Sequence, residues 1–218
     1  MICSWSKQMF SLLMSCALVC ATTPISINAQ QASASSPSYS GQGAPLSVQE
    51  LQALVAPIAL YPDALVAQIL GAATYPDQVA MAENWLQQNK KLTGQNLMQA
   101  VDKQPWDPSI KSLTQFPTVL DNMAKNLSWV SSLGEAYHNQ APDVMSAVQA
   151  LRAQAKAAGN LKSGSQMTVV EQSPQTIVIQ PANPQIVYVP QYNPTVVYGT
   201  PYTTPGYSTA DVLSLIHI

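Results

Sequence analysis

The stretch that decides the fold class runs from Leu46-Ser47-Val48-Gln49-Glu50-Leu51 through Pro57 to Ile58-Ala59-Leu60-Tyr61-Pro62-Asp63-Ala64-Leu65-Val66-Ala67-Gln68-Ile69-Leu70. Ser47 is placed to cap a helix. Leu51, Leu54, Val55 and Ile58 then follow the i, i+3, i+4, i+7 spacing of one apolar helix face. Pro57 kinks or splits that helix, because proline lacks the N–H of the helical ladder. Leu65, Val66, Ile69, Leu70 and Ala73 form a second apolar face. The stretch reads as short helices separated by proline joints.

The same pattern extends over 47–159. Val79, Ala82, Trp85 and Leu86 make a third face, and Leu97 and Val101 a short fourth. Further helices are expected near Asp107, Pro117 and Leu127. The last runs from about Pro142, with Val144, Val148, Leu151 and Ala155 on one face, and stops at Gly159. The joints are Tyr61-Pro62-Asp63, Tyr75-Pro76-Asp77, Trp106-Asp107-Pro108, Phe116-Pro117 and Ala141-Pro142-Asp143. Proline suits a first helical turn, a nearby Asp serves the orphan N–H groups and the dipole, and a preceding aromatic staples the turn. These features predict an array of short antiparallel helices.

Over 166–199 the period changes. Met167 to Val170, Thr176 to Ile179, Gln185 to Val189 and Thr195 to Tyr198 are short β-branched and aromatic runs. The last three belong to a proline-led repeat of period ten, beginning at Pro174, Pro184 and Pro194. Asn183 and Asn193, before the later two prolines, favour turns. The expectation is a small proline-punctuated β-meander after the helices. The fold class is therefore α+β.

Charge divides the 218 residues sharply. Only 9% are charged and the formal net charge is −2, so no basic footprint for nucleic acid exists. Apart from Lys7 and Asp211, every charge lies between Glu50 and Glu171. Residues 1–29 read as a secretory signal peptide. Lys7 is followed by an apolar run from Met9 to Ala21, shorter than the ~20 residues of a spanning helix. Cleavage is expected after Ala29. A lipobox ending at Cys16 is the weaker alternative, because apolar residues follow that cysteine. Cys3, Cys16 and Cys20 all lie in this leader, so the mature chain has no thiol for a disulfide, metal or nucleophile. Residues 30–46 form a flexible Ser/Gln/Gly linker, and 200–212 a Pro/Tyr/Thr-rich one. Leu213-Ser214-Leu215-Ile216-His217-Ile218 reads as translated sequencing adapter, which would make the chain an N-terminal fragment of a longer protein.

The residues of the opening stretch, with Trp106-Asp107-Pro108, Tyr188-Val189-Pro190-Gln191-Tyr192-Asn193-Pro194 and Val197-Tyr198-Gly199, resemble the bacterial family known as domain of unknown function 3300. The resemblance covers about 46–199. It implies a bacterial, exported protein whose relatives continue into an apolar Gly/Ala/Trp-rich stretch and a polar tail. It implies membrane association only through such a stretch, and it carries over no catalytic residue.

Several residues invite chemistry. Asp63 and Asp77, 14 positions apart, with Glu83 beside Trp85, could serve as the paired carboxylates of a peptidoglycan-active hydrolase. Capping is the stronger reading of both aspartates, since each follows a proline at a helix start, and core packing is the better reading of Trp85. His138 has too few companions for a zinc site or a catalytic triad. Lys90-Lys91 reads as a solvated surface pair, and no phosphate-binding glycine loop occurs. Tyr188, Tyr192, Tyr198 and Tyr202, in a chargeless proline-rich strip, are the candidate interaction surface; alternatively they cover the helical core. No cofactor is expected. The reading is an exported cell-envelope protein, a non-enzymatic structural or interaction module whose partner is an envelope protein or cell-wall component. The hydrolase is the alternative.

Overall fold

A computed structural model describes residues 45–199 and Thr204. The signal peptide with its cleavage after Ala29, Cys16, nearly all of the 30–46 linker, Tyr202 and the 213–218 tail lie outside the described residues. Seven helices come first: α1 (Val48–Val55), α2 (Asp63–Ala73), α3 (Pro76–Gln88), α4 (Gly94–Asp102), α5 (Pro108–Leu113), α6 (Pro117–Lys125) and α7 (Leu127–Ala157). An antiparallel ribbon follows, β1 (Met167–Ser173) with β2 (Thr176–Pro181), and then the short α8 (Pro194–Val197). The α+β class is as expected.

The helix starts follow local chemistry. Glu50 N donates to Ser47 Oγ at 3.3 Å, and Ser47 N donates back to Glu50 Oε2 at 2.8 Å, a complete capping box. The Ser47 hydroxyl and backbone N–H together hold the Glu50 carboxyl below its ordinary range. Pro76, Pro108 and Pro117 occupy the first positions of α3, α5 and α6. The Ala141-Pro142-Asp143 joint separates two helical runs, as expected, but across a kink and not a full break. It falls inside α7, just after Gln140, whose backbone (φ −137°, ψ 38°) leaves the helical region and marks a kink. There the Gln140 side chain clamps the backbone ahead of α1, accepting from Leu46 N at 2.8 Å and donating to Leu46 O at 3.2 Å. Gly159 (φ +77°) then terminates α7: its N–H donates to Lys156 O and Asn160 N–H to Ala155 O.

The buried side chains of α1, α2, α3, α5, α6 and α7 form one apolar cluster. α1 packs along α7, α2 lies against α5 and α7, and α3 lies against α6. Gly134 lets α7 approach the end of α2, where a Cβ would sit 2.0 Å from Ala73 O.

The expected meander is corrected in part. Met167 to Val170 and Thr176 to Ile179 are in strands, but the two later runs are not. The outward edge of β2 is already occupied. Ile177 N donates to Gln149 Oε1 at 2.8 Å, Ile177 O accepts from Arg152 Nη1 at 2.8 Å, and Ile179 N donates to Asp63 Oδ1 at 3.4 Å. A third strand has no ladder to join. Pro184 to Val189 continues as irregular chain after a turn in which Ile186 N donates to Asn183 O. At Pro194 turn chemistry overrides β-propensity: Asn193 Oδ1 accepts from Thr195 N at 3.0 Å and starts α8.

Candidate functional site

The most demanding place in the molecule is the joint between α1 and α2. Ala56-Pro57-Ile58-Ala59-Leu60-Tyr61-Pro62 is buried throughout, although it is not helical. Its apolar composition drives it inward, yet a buried irregular segment must still pair its backbone groups. Pro57 cannot donate to Ala53 O, and Ile58 N donates to Val55 O in place of Leu54 O. The helical ladder therefore opens, and distant side chains close it. Thr204 Oγ1 donates to Ala53 O at 2.7 Å, and Trp129 Nε1 to Leu54 O at 2.9 Å. Tyr192 and Tyr198 donate their hydroxyls to Ala56 O at 2.8 and 2.9 Å. Leu60 N donates to Tyr192 Oη at 3.3 Å. The ring of Tyr192 also meets those of Tyr61 and Tyr198 edge-on, with centroids 6.1 Å apart in each pair.

Arg152 completes the joint. It is 1% exposed and is the one arginine in the sequence. Its Nε donates to Ala59 O at 2.8 Å, Nη2 to Tyr61 O at 3.1 Å and Nη1 to Ile177 O at 2.8 Å. The Asp63 carboxylate lies 2.5 Å from Nη1. One guanidinium thus joins α7, the joint, the start of α2 and the edge of β2, using the forked donor geometry that only arginine offers.

These contacts place the residues singled out from the sequence. Tyr192 and Tyr198 correct the expected interaction surface, because their hydroxyls are spent on the buried joint; Tyr198 is fully buried and Tyr192 half-buried. Tyr188 is exposed. Asp63 is the first residue of α2 in place of its cap, and its carboxylate faces Arg152 and Ile179 N, not the helix's own N–H groups. Asp77 is exposed on the first turn of α3. Glu83 is buried farther along the same helix, about 9 Å away at 1.5 Å per residue and on another face. The three carboxylates are not gathered into one site. Trp85 packs edge-to-face on Trp106 at 5.7 Å. His138 is exposed, and among the described residues no group of three His, Cys, Asp or Glu is close enough to hold a metal. Among the described residues no helix is long and apolar enough to cross a membrane.

Glu83 does line a groove of about 530 Å³ between the end of α3, the start of α4 and the joint before α6. Its Oε1 accepts from Gln87 Nε2 at 2.5 Å, while Oε2 is shielded from solvent and has no hydrogen-bond partner. Of the hydrolase candidates, only Glu83 reaches this groove.

The sequence reading missed Arg152, Trp129, Gln140 and Thr204. Arg152 carried a legible signal. It lies four residues after Val148 and directly after Leu151, so it shares the apolar face of its helix. A sole arginine on such a face needs buried acceptors. Trp129, Gln140 and Thr204 carried none, because their acceptors belong to backbone 75, 94 and 151 residues away.

A family model matches residues 47–212, from the cap of α1 to beyond Thr204. The chain belongs to the family described as Protein of unknown function (DUF3300). The DUF3300 match takes in the 200–212 stretch read as a linker, from which Thr204 reaches the buried joint. The chain is also 42% identical over 134 residues to the "Uncharacterized protein YacH" of Escherichia coli (strain K12), an alignment covering 62% of this chain. The chain spans about a fifth (22%) of that relative's length. No solved structure matches.

Proposed function

We propose that this DUF3300 domain is a non-enzymatic structural and interaction module, exported to the bacterial cell envelope, that holds an envelope protein or cell-wall component. One observation carries the reading: the chargeless C-terminal layer divides into two sides. Tyr192 and Tyr198 fasten it inward to the α1–α2 joint. On the solvent side, Ile186 (63% exposed), Tyr188 (36%) and Val196 (70%) stand out, and no charged residue occurs from Gln172 to Ala210 to solvate them. Large apolar side chains held outward on a chargeless layer mark a contact surface. Export rests on the leader-like residues 1–29. Membrane association would rest on chain outside the described residues. The scattered positions of Asp63, Asp77 and Glu83 favour binding over hydrolysis.

In-cell photo-crosslinking of the full chain tests this. A photoreactive residue at 186, 188 or 196 is expected to give a defined adduct in the envelope fraction, and one at exposed Asp77 to give none. Equal adducts at Asp77, no adduct at any of the three positions, or a chain retained in the cytoplasm would each overturn the reading. Release of peptidoglycan fragments by the purified chain, abolished by Glu83→Gln, would replace it with the hydrolase.

A further inference from the structure

We infer that residues 185–189 pair with the same residues of a second copy of this chain, as an antiparallel two-stranded ribbon about a two-fold axis. The inference rests on the reading of this face as a contact surface, and names its partner. Of the four β-type runs in the chain, two form the ribbon, and Thr195 to Tyr198 is taken up by α8 and its cap. Gln185 to Val189 is left over. It repeats β2: Pro184-Gln185-Ile186-Val187-Tyr188-Val189 aligns with Pro174-Gln175-Thr176-Ile177-Val178-Ile179. It also keeps the period of a strand, with Ile186 and Tyr188 exposed and Val187 and Val189 half-buried. Asn183 serves Gln185 N and Ile186 N. Among the described residues, the backbone of Val187, Tyr188 and Val189 makes no hydrogen bond. A strand-like sequence with open backbone is a template for pairing with another chain.

The β1–β2 ribbon of a second copy is not open to receive it. Gln149, Arg152 and Asp63 occupy the β2 side. On the β1 side, Val169 N donates to Ser163 Oγ at 2.9 Å, and Gly164 N to Met167 O at 2.9 Å. What a second copy offers is 185–189 itself, and identical strands meeting about a two-fold axis run antiparallel. The sequence is self-complementary in that arrangement. With Val187 on the axis, Pro184 falls opposite Pro190 of the second copy, so the residues that cannot donate face each other at the ends. Ile186 falls opposite Tyr188, a favourable β-branched and aromatic pair, and Val187 opposite itself. No charge occurs from Gln172 to Ala210, so no group repels its own image across the axis.

Sedimentation of the full chain between about 1 µM and 1 mM tests this. A reversible dimer is expected towards the upper end, weak because five residues a side make a small interface. Val187→Pro keeps an extended backbone but removes the central N–H, and should weaken the dimer at least about tenfold. Register is read separately, in a chain whose Cys3, Cys16 and Cys20 are changed to serine. Ile186→Cys and Tyr188→Cys forms of it, mixed together, should form the mixed disulfide well ahead of either like pair. In this register the unlike positions lie about 4.5 Å apart at Cα, within disulfide reach, whereas like positions are about 7–8 Å apart. If Val187→Pro does not fold, the disulfides decide alone. A monomer at every concentration, a dimer undiminished in Val187→Pro, or no preference for the mixed disulfide would each overturn the self-pairing. The contact surface itself stands or falls separately, by the in-cell adducts at 186, 188 and 196.

Discussion

At the scale of single residues, Arg152 carries more of the tertiary structure than any other charged group. Its guanidinium serves the carbonyls of Ala59, Tyr61 and Ile177 at once. Arg152→Met would take this donor away from all three, at about 1–3 kcal/mol for each buried carbonyl left unpaired, before relaxation. Urea unfolding is expected to show a net loss of at least ~3 kcal/mol. Arg152→Lys should recover less than about half of that, because one ammonium cannot span a forked donor's acceptors. Asp63→Asn should be much milder, since the Asp63 side chain is 42% exposed and water replaces the lost charge. The tyrosines make a sharper test. Tyr198→Phe leaves Ala56 O bonded to Tyr192 and should cost about 1 kcal/mol or less. Tyr192→Phe also strips Leu60 N of its acceptor and should cost more. The double variant leaves Ala56 O bare, so its loss should exceed the sum of the singles by about 1 kcal/mol in a double-mutant cycle. Their tyrosine identity was legible in the sequence, but which way each hydroxyl points was not.

At the scale of elements, the proline joints were the readable part. Proline and the capping residues act on the backbone a few positions away, so α1, α3, α5 and α6 begin where their sequences say. The fifth joint bends α7 because Pro142 lacks the ladder N–H and disfavours helical backbone ahead of it, and Gln140 at the kink is engaged by Leu46. Strand-like runs were less reliable. Thr195 to Tyr198 has the composition of a strand but lacks a free edge to pair with, and Asn193 turns it into α8. Gly134 gives the element-scale prediction. Alanine there gains up to about 1 kcal/mol of helix propensity. The added Cβ would meet Ala73 O at 2.0 Å and force α2 and α7 apart, which costs about 1–3 kcal/mol or more. Gly134→Ala is therefore expected to lower the thermal midpoint, as circular dichroism would record. An unchanged or raised midpoint would mean that α7 does not approach α2 so closely.

At the scale of the whole molecule, the C-terminal layer is a working part of the helical domain. Removing the chain after Pro190 deletes Tyr192, Tyr198 and Thr204, and with them the donors to Ala53 and Ala56. That truncation should lower the urea midpoint and speed hydrogen exchange at Leu60 N–H, which loses its acceptor. An unchanged midpoint would show that the helices stand without the layer. Of the candidate site, Glu83 could be singled out from the sequence as an acid beside an aromatic. Its missing partner and the groove around it could not, since they depend on how α3, α4 and the joint before α6 meet. The amino-acid sequence by itself determined the class, the helix starts and the chargeless C-terminal stretch, because capping, proline geometry and apolar periodicity act over a few residues. Only the tertiary structure decided that the Ala56–Pro62 joint is buried, and so which distant side chains complete it. A buried carbonyl takes any donor that packing brings within reach, and the sequence separations here, 91 residues for Arg152 and Tyr61 and 142 for Tyr198 and Ala56, carry no local trace.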